Sequence, residues 1–320
     1  MSAPRAAGVH LPFAEVPARV RAWVDEALGS PVTEAADQQG GMSPGCATRV
    51  VAADGTRAFV KAVGPELNPD TPGLFRREMA ALRLIGDNPL WAAMLASYDD
   101  GAWTAILLED VAGRHPDLAD DAEMDLLLVS TDRLSTTLAR MPVPTARATS
   151  IGGPGYVDTR DSFRKWYAAT EHLHELPDDL LPASLRRRTG ECRALAARLL
   201  DAPREQLVHW DIRNDNLILL PDGHLVFVDW GTAGLGPAWV DPLLARLERV
   251  DSPWFDASLA DSPALAAAGD EVVTGFLLGI GGMLAWRSTQ QLPDVGLPTL
   301  NEFRRTEARR FLGAAARRLG

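Results

Sequence analysis

The sequence predicts an α+β protein with two lobes, a sheet-rich N-terminal lobe and a larger helical C-terminal lobe. Two segments rich in β-forming residues, 47–63 and 101–113, lie in the first part of the chain. From about residue 118 the apolar residues recur with helical spacing, and a short apolar strand pair within 207–230 interrupts this pattern. A chain of 320 residues with 46% apolar composition is long enough to form a core in each lobe.

The charge and the cysteine content narrow the classes of function. A net charge of −11 argues against a nucleic-acid partner, which would require a basic face to displace the counterions of the phosphates. Cys46 and Cys192 show no metal-ligand spacing and no disulfide framework, as is typical of proteins of a reducing cytoplasm. The N-terminus lacks the apolar segment of a signal peptide, and the Gly-interrupted apolar run 272–286 indicates a core helix rather than a membrane span. We therefore expect a cytoplasmic protein without a membrane partner.

The N-terminal lobe is expected over residues 1–108 and begins with an amphipathic helix at 15–29. A glycine-rich break at 40–45 precedes a β-hairpin over 47–63, whose strands join at Asp54-Gly55. A helix follows from 71 to about 85, with Thr71 as its N-cap and Pro72 at its first position.

The second lobe is expected over residues 116–320, after a hinge at 109–115 that follows the strand within 101–113. Its predicted helices cover roughly 118–140, 160–176, 183–201, 236–250, 263–288 and 299–318.

A lysine and a glutamate in the N-terminal lobe are both predicted to face inward. Side chains alternate along a strand, so Lys61 shares a face with Phe59 and Val63. Glu78 falls within the apolar stripe of the helix that follows. An unpaired buried charge is costly, and we therefore expect these two residues to form an ion pair. The alternative is that both are surface residues with extended side chains.

The second group of polar residues flanks the strand pair of 207–230. The segment HWDIRNDN provides His209, Asp211 and Asn216, and the second strand ends at Asp229. This arrangement suits phosphoryl transfer, because Asp211 can accept a proton from a hydroxyl while Asn216 and Asp229 offer oxygen ligands to Mg²⁺. His209 is expected to brace the loop, and Asn214 and Asp215 are expected to be ordinary turn residues.

These motifs resemble those of the aminoglycoside phosphotransferase family, the small-molecule branch of the bilobal protein-kinase-like fold. The resemblance rests on FVKAV around Lys61, REMAAL around Glu78, ILLEDVAG at 106–113, HWDIRNDN at 209–216 and VFVDWG at 226–231. The motifs occur in the family's order over most of the chain. Protein kinases would instead show Asp-Phe-Gly followed by a long activation segment, and the sequence contains neither.

The resemblance implies a role for each matching residue. Lys61, oriented by Glu78, would hold the nucleotide phosphates, and the Glu109 carbonyl and Val111 N–H would contact adenine. Asp211 would be the catalytic base, Asn216 and Asp229 the metal ligands, and Asp241 a support for the loop.

Two features depart from the family pattern. The segment QQGGMSPGCATRV is not Gly-x-Gly-x-x-Gly, so phosphate binding would depend on the amides of Gly41, Met42 and Ser43. Arg213 lies two residues after Asp211, where it could neutralise the transferring phosphate. The alternative for Arg213 is a surface arginine paired with a carboxylate.

The sequence gives the least information about the residues that bind the acceptor. Asp251, Trp254 and Asp256 lie in a loop beyond the catalytic segment and would suit an amine-bearing substrate by charge and cation–π contact. The alternative is that these are ordinary loop residues.

The sequence thus predicts a kinase that uses ATP or GTP and Mg²⁺ to phosphorylate a hydroxyl of a small molecule. The first expected acceptor is an aminoglycoside or another antibiotic, which would confer resistance. A metabolic kinase for a sugar, an amino sugar or a choline-like alcohol is the alternative, and a nucleotide-binding pseudokinase is the rival from another class. A monomer or a homodimer is expected.

Overall fold

The computed structural model describes residues 8–38, 43–143, 156–290 and 297–320. It confirms the α+β fold class, with a sheet-rich N-terminal part and a helical C-terminal part. The N-terminal part contains α1 (Ala18–Leu28), β1 (Val32–Asp37), β2 (Cys46–Ala52), β3 (Arg57–Val63), α2 (Thr71–Ile85), β4 (Met94–Asp99) and β5 (Thr104–Glu109).

The five strands form an antiparallel sheet in the order β1-β2-β3-β5-β4, with a helix on each face. The side chains of Ala58, Val60 and Ala62 belong to the cluster that contains the apolar residues of α1. Phe59 and Val63 lie against the opposite cluster, which contains the apolar residues of α2. The two-residue alternation of β3 therefore places Lys61 on the α2 side, as predicted.

Ion pairs hold the segment that connects the two parts. Asp110, which directly follows β5, is nearly fully buried and pairs with Arg57 at 2.9 Å and with Arg49 at 3.4 Å. Further along, Arg114 and Leu219 exchange two backbone hydrogen bonds. These contacts hold the connecting segment to the sheet on one side and to the strand pair of 207–230 on the other.

The C-terminal part is mainly helical and contains two small sheets. Its elements are α3 (Asp121–Leu138), β6 (Val157–Asp158), α4 (Thr159–Ala169), α5 (Ala183–Arg186), α6 (Thr189–Ala197), β7 (Gln206–Val208), β8 (Leu217–Leu219), β9 (Leu225–Phe227), β10 (Gly234–Gly236), α7 (Val240–Leu244), α8 (Pro253–Ser258), α9 (Pro263–Ala268), α10 (Asp270–Thr289) and α11 (Leu300–Leu319). The sheets have the orders β6-β10-β7 and β8-β9.

Helix α10 is the centre of the C-terminal core and contacts α4, α6 and α11. In the described part of the chain it alone is long and apolar enough to cross a membrane, judged by length and composition. However, 61% of its most apolar window is buried inside the protein. That burial is typical of a core helix, as expected for residues 272–286.

Several predicted elements are shorter than expected or divided. The helix expected at 263–288 is interrupted at Gly269, whose φ of 85° is outside the helical region. Those expected at 160–176, 183–201 and 236–250 end in 3₁₀ turns or separate into short helices. Strands β1, β4, β6 and β10 were not predicted. β6 pairs with the distant β10. β1 and β4 pair with their sequence neighbours, but they are the edge strands of the sheet and their side chains are exposed or half-buried, so they lack a clear apolar alternation. Thr71, which was predicted to be the N-cap of α2, is instead its first residue, and its N–H donates to Asn68 Oδ1 at 3.1 Å.

Two helical glycines allow a test of the packing of α10. A Cβ on Gly275 would collide with the carbonyl oxygen of Leu195, whereas a Cβ on Gly313 would meet no atom within 4 Å. We expect Gly275→Ala to lower the free energy of unfolding by about 1–3 kcal/mol through overpacking. Gly313→Ala, the matched control, should raise it by about 0.5–1 kcal/mol, because alanine has the higher helix propensity. Urea unfolding of both variants measures this difference, and equal stabilisation by the two would contradict close packing between α10 and α6.

Candidate active site

The site is organised around the ammonium group of Lys61. Its Nζ lies 2.5 Å from Glu78 Oε2 and 3.2 Å from Asp229 Oδ1. Glu78 is 1% exposed, so α2 presents a buried carboxylate to β3. This confirms the predicted Lys61–Glu78 pair, and it also brings the C-terminal Asp229 to the N-terminal sheet.

Burial and mutual attraction set the charge states of these three groups. Burial opposes the charged form of Lys61, but the carboxylates of Asp229 and Glu78 outweigh it and raise the pKa of the ammonium. Burial raises the pKa of Glu78, partly offset by Lys61. For Asp229 the attraction of Lys61 outweighs burial and lowers the pKa. Asp229 is therefore ionised at neutral pH.

Asp211 lies in the loop between β7 and β8, where its carboxylate is held from two sides. Asn216 Nδ2 donates to both the backbone oxygen and Oδ2 of Asp211, each at 2.9 Å. Arg213 Nε lies 3.2 Å from Asp211 Oδ1, and its Nη2 lies 3.2 Å from Asp215 Oδ2. Burial raises the pKa of Asp211 and Arg213 opposes this shift. Together these contacts fix the orientation of the expected base.

The expectation that Asp215 is an ordinary turn residue is incomplete. Its carboxylate is nearly buried and shares Arg213 with Asp211. Asn214 also has a structural role, because its side chain donates to the carbonyl of Pro116 and its N–H to Glu248. The D-x-R-x-D spacing of 211–215 was the available signal for the shared arginine.

The backbone at the site adopts a conformation that is costly for residues other than glycine. Trp210 and Asp229 have φ values of 67° and 65°, in the left-handed region. Asp241 holds the first of these turns, since its carboxylate accepts the N–H groups of His209 at 2.8 Å and Trp210 at 2.9 Å. This agrees with the predicted supporting role of Asp241.

His209 braces the two strands, as expected. Its ring Nε2 lies 3.1 Å from the backbone oxygen of Val228, the residue before Asp229. Burial lowers the pKa of His209, and the neutral ring therefore suits a structural role.

The donor set at the mouth of the site fits a magnesium ion held jointly with phosphate. In the described ranges there is no group of three or more His, Cys, Asp or Glu side chains that could hold a metal. Asn216 uses its amide nitrogen for Asp211, which leaves its oxygen as a ligand beside the carboxylate of Asp229. Mg²⁺ prefers such sites, where one or two protein oxygens act with phosphate oxygens and water.

The predicted nucleotide-binding residues are placed only in part. Gly41 and Met42 lie outside the described residues. Ser43 immediately follows them, three positions before β2 begins at Cys46. Glu109 donates its N–H to the Ala93 oxygen at 2.9 Å. Val111 uses its carbonyl oxygen to accept from Arg49 at 3.0 Å. Adenine binding by Glu109 and Val111 therefore remains a prediction.

A cavity of about 580 Å³ lies beside this connecting segment. Its walls include Pro89, Trp91, Glu109, Val111 and Val226. Lys61, Asp211 and Asp229 are not part of its lining, so it is distinct from the catalytic group.

The residues expected to bind the acceptor are engaged with arginines. Asp251 Oδ2 lies 2.6 Å from Arg310 Nε, and Asp256 Oδ1 lies 2.5 Å from Arg318 Nη1, both on α11. The guanidinium of Arg249 lies 5.0 Å from the centre of the Trp254 ring. Trp254 and Asp256 lie in α8 rather than in the expected loop. The pairings favour the alternative that the segment is structural, and substrate contact by these residues stays a prediction.

The support of the catalytic loop by Asp241 can be measured. We expect Asp241→Asn to lower the free energy of unfolding by about 1–3 kcal/mol, because an amide nitrogen cannot accept the second backbone N–H. The control Asp251→Asn removes an exposed ion pair and should cost about 0–1 kcal/mol. Chemical denaturation of both variants gives the comparison, and an Asp241→Asn protein as stable as wild type would refute the supporting role.

Comparison of the chain with known proteins identifies its family. Residues 46–275 match the model of the phosphotransferase enzyme family, APH. A comparison with curated proteins gave no match. The structure of aminoglycoside phosphotransferase APH(4)-Ia is similar with a TM-score of 0.64 at 18% identity, and the alignment covers 94% of this chain and 98% of that one.

Two further solved structures share the fold. Choline kinase LicA from Streptococcus pneumoniae aligns with a TM-score of 0.54 and 16% identity over 92% of this chain and 98% of that one. An aminoglycoside phosphotransferase from Alicyclobacillus acidocaldarius aligns with a TM-score of 0.54 and 13% identity over 90% and 92%. Since the family model spans well over half of the chain and the kinase-like fold agrees with it, the chain belongs to the APH phosphotransferase enzyme family.

Proposed function

We propose that this phosphotransferase uses Mg²⁺ and ATP or GTP to phosphorylate a hydroxyl group of a small molecule. The observation that carries the proposal is the contact of Lys61 with both Glu78 and Asp229, beside the Asp211–Asn216 pair. These side chains thus lie close together, and they would offer a cation for phosphate, oxygen ligands for a metal and a carboxylate base. Nucleotide-bound neighbours support the donor, since APH(4)-Ia has been solved with ADP and with AMP-PNP.

The proposed chemistry assigns one task to each side chain. Asp211 accepts the proton of the acceptor hydroxyl as its oxygen forms a bond to the terminal phosphorus and the bond to the nucleoside diphosphate breaks. Its pKa, raised by burial, makes it a better proton acceptor than an ordinary aspartate while it is ionised. Lys61 holds the phosphates that remain on the nucleotide, and Arg213 offsets the negative charge near the transferred group.

Asn216 and Asp229 would hold the metal ion through their side-chain oxygens. When bound, Mg²⁺ supplies positive charge that neutralises the phosphate oxygens. The protein's own contribution is positioning, because Asn216 is fixed by Asp211 and Asp229 by Lys61.

The first proposed acceptor is an aminoglycoside or another antibiotic, and a metabolic alcohol is the second. The structural neighbours include aminoglycoside phosphotransferases, one of them solved with hygromycin B, and a choline kinase. The net charge of −11 is compatible with a cationic acceptor. We therefore propose an amine-bearing alcohol, phosphorylated in the cytoplasm by a monomer or a homodimer.

The expected base is tested by Asp211→Asn. We expect turnover with the best acceptor to fall by about 10²–10⁴-fold, because the amide cannot accept a proton. Nucleoside diphosphate release is measured for wild type and variant over a library of aminoglycosides, other antibiotics, sugars, amino sugars and choline-like alcohols. Asp222→Asn, an exposed aspartate in the β8–β9 turn, is the matched control and should retain wild-type turnover.

The same library separates the possible acceptors. The highest kcat/KM with an antibiotic, together with a raised inhibitory concentration in a bacterium that expresses the chain, supports resistance. The highest kcat/KM with a metabolite supports the metabolic alternative. Equal background for wild type and Asp211→Asn with every compound would instead favour a nucleotide-binding pseudokinase.

The role of Arg213 is tested by substitutions that remove or retain its positive charge. Arg213→Gln should lower kcat by about 10–100-fold, because a positive group beside the transferred phosphate is lost. Arg213→Lys retains the charge and should lose less. Arg164→Gln removes an exposed arginine that pairs with Asp161 on α4 and serves as the control. Wild-type kcat in Arg213→Gln would show that the arginine is only a structural partner of Asp211 and Asp215.

A further inference from the structure

Arg77, which directly precedes Glu78 in α2, is a buried cation that the proposed chemistry does not use. It is 5% exposed. Its Nε donates to the backbone oxygen of Gly231 at 3.1 Å, across a sequence separation of 154 residues. Burial lowers the pKa of Arg77, because removal from water disfavours the charged form, and the carboxylate of Asp70 opposes this shift. An arginine is costly to bury, so its hydrogen-bonding partner is structurally important.

The same helix makes further contacts with the segment that follows Asp229. Glu78 Oε1 accepts the N–H of Trp230 at 3.4 Å. A Cβ on Gly231 would lie 3.2 Å from the backbone oxygen of Leu74, one turn earlier in α2. Helix α2 therefore lies directly against residues 230 and 231, and the close approach leaves little room for a side chain at 231.

The segment held in this way determines the direction of the Asp229 carboxylate. Asp229 has a left-handed φ of 65°, which a non-glycine residue adopts only when its surroundings enforce it. The hydrogen bond from Arg77 fixes the peptide two residues further on. This turn directs Asp229 Oδ1 to Lys61 at 3.2 Å.

We propose that Arg77 is a positioning residue, which holds the 229–231 turn against α2 so that Asp229 is aligned to bind the metal of a metal–nucleotide complex. The inference rests on the proposed function, since it concerns the same cleft. It predicts that loss of Arg77 weakens the metal-dependent part of nucleotide binding more than the binding of the nucleotide alone.

The neighbouring Arg76 provides a matched control in the same helix. Its guanidinium is directed outward and pairs with Asp99, with Nε 2.7 Å from Oδ2, and its side chain is 36% exposed. Arg76→Met and Arg77→Met remove the same charge from adjacent positions, but only the second removes the bond to Gly231.

The test is calorimetric titration of ADP, or of GDP if wild type binds GDP more tightly, into each protein, in excess Mg²⁺ and in EDTA. The ratio of the two dissociation constants gives the affinity gained through Mg²⁺, and this measurement requires no acceptor and no turnover. We expect a gain of at least tenfold for wild type and Arg76→Met. For Arg77→Met the gain should fall at least fivefold, with the dissociation constant in EDTA within twofold of wild type. Arg77→Lys, which retains a donor, should give an intermediate value.

Gly231→Ala provides an independent variant, in which Arg77 is intact. Its added methyl group would press on the Leu74 carbonyl and move the turn from α2, so the gain should again fall. Thermal unfolding of each protein shows whether it is folded during the titration.

The outcomes separate this inference from the proposed function. If Mg²⁺ raises the nucleotide affinity of Arg77→Met as much as that of wild type, the positioning role is overturned while the proposed function stands. An equal loss of ADP affinity in Mg²⁺ and in EDTA would also overturn it, since a purely structural residue would act in that way. A wild-type protein that binds neither ADP nor GDP, or binds them without any gain from Mg²⁺, would refute the proposed function and the inference with it.

Discussion

The ammonium of Lys61 joins three separate parts of the molecule, because it is in contact with the carboxylates of Glu78 and Asp229. Each of the three is contributed by a different element: β3, α2 and the segment after β9. Loss of one member of a buried ion pair typically costs about 3–5 kcal/mol, since the remaining charge is left without a partner. These ion pairs therefore fix the positions of the N-terminal sheet, its inner helix and the segment after β9 relative to one another. They also direct one positive charge into the cleft where phosphate is expected.

The catalytic loop combines strained backbone with buried supports. Left-handed turns at Trp210 and Asp229 cost of order 1–3 kcal/mol each for non-glycine residues. They persist because neighbouring groups determine them: Asp241 accepts the backbone of the first turn, and Arg77 donates to the backbone beside the second. The neutral ring of His209 connects the two segments through Val228. The polar residues of this loop thus divide into those directed to the cleft and those that hold it in shape.

The segment that was expected to contact the acceptor is held by ion pairs of its own. Acidic residues are numerous in the chain, but Asp251 and Asp256 are matched by arginines of α11. A carboxylate in an ion pair attracts a cationic substrate less than a free one, because the nearby positive charge cancels most of its field. The overall charge of −11 therefore says little about the acceptor, whose recognition depends on the local arrangement of groups near Asp211. This is why family membership and fold identify the reaction type more readily than the substrate.

The sequence alone determined the features that depend on local spacing. Alternation along β3 placed Lys61 on the inner face, and helical periodicity placed Glu78 on the inner stripe of α2, because both follow from backbone geometry over a few residues. The Asp54-Gly55 hairpin turn was also predictable, and Gly55 has the positive φ of 88° that such turns require.

Only the tertiary structure decided which distant residues meet. Arg77 and Gly231, or Asp241 and His209, have no relation in local sequence, because hydrogen bonds across 154 and 32 residues depend on how the two lobes and the short strands pack. The pairing of Asp251 and Asp256 with α11 likewise depends on the position of a helix some 60 residues away. Local backbone geometry is encoded residue by residue, whereas the partners of buried charges are set by the packing of whole elements, and the chemistry of this site depends on those partners.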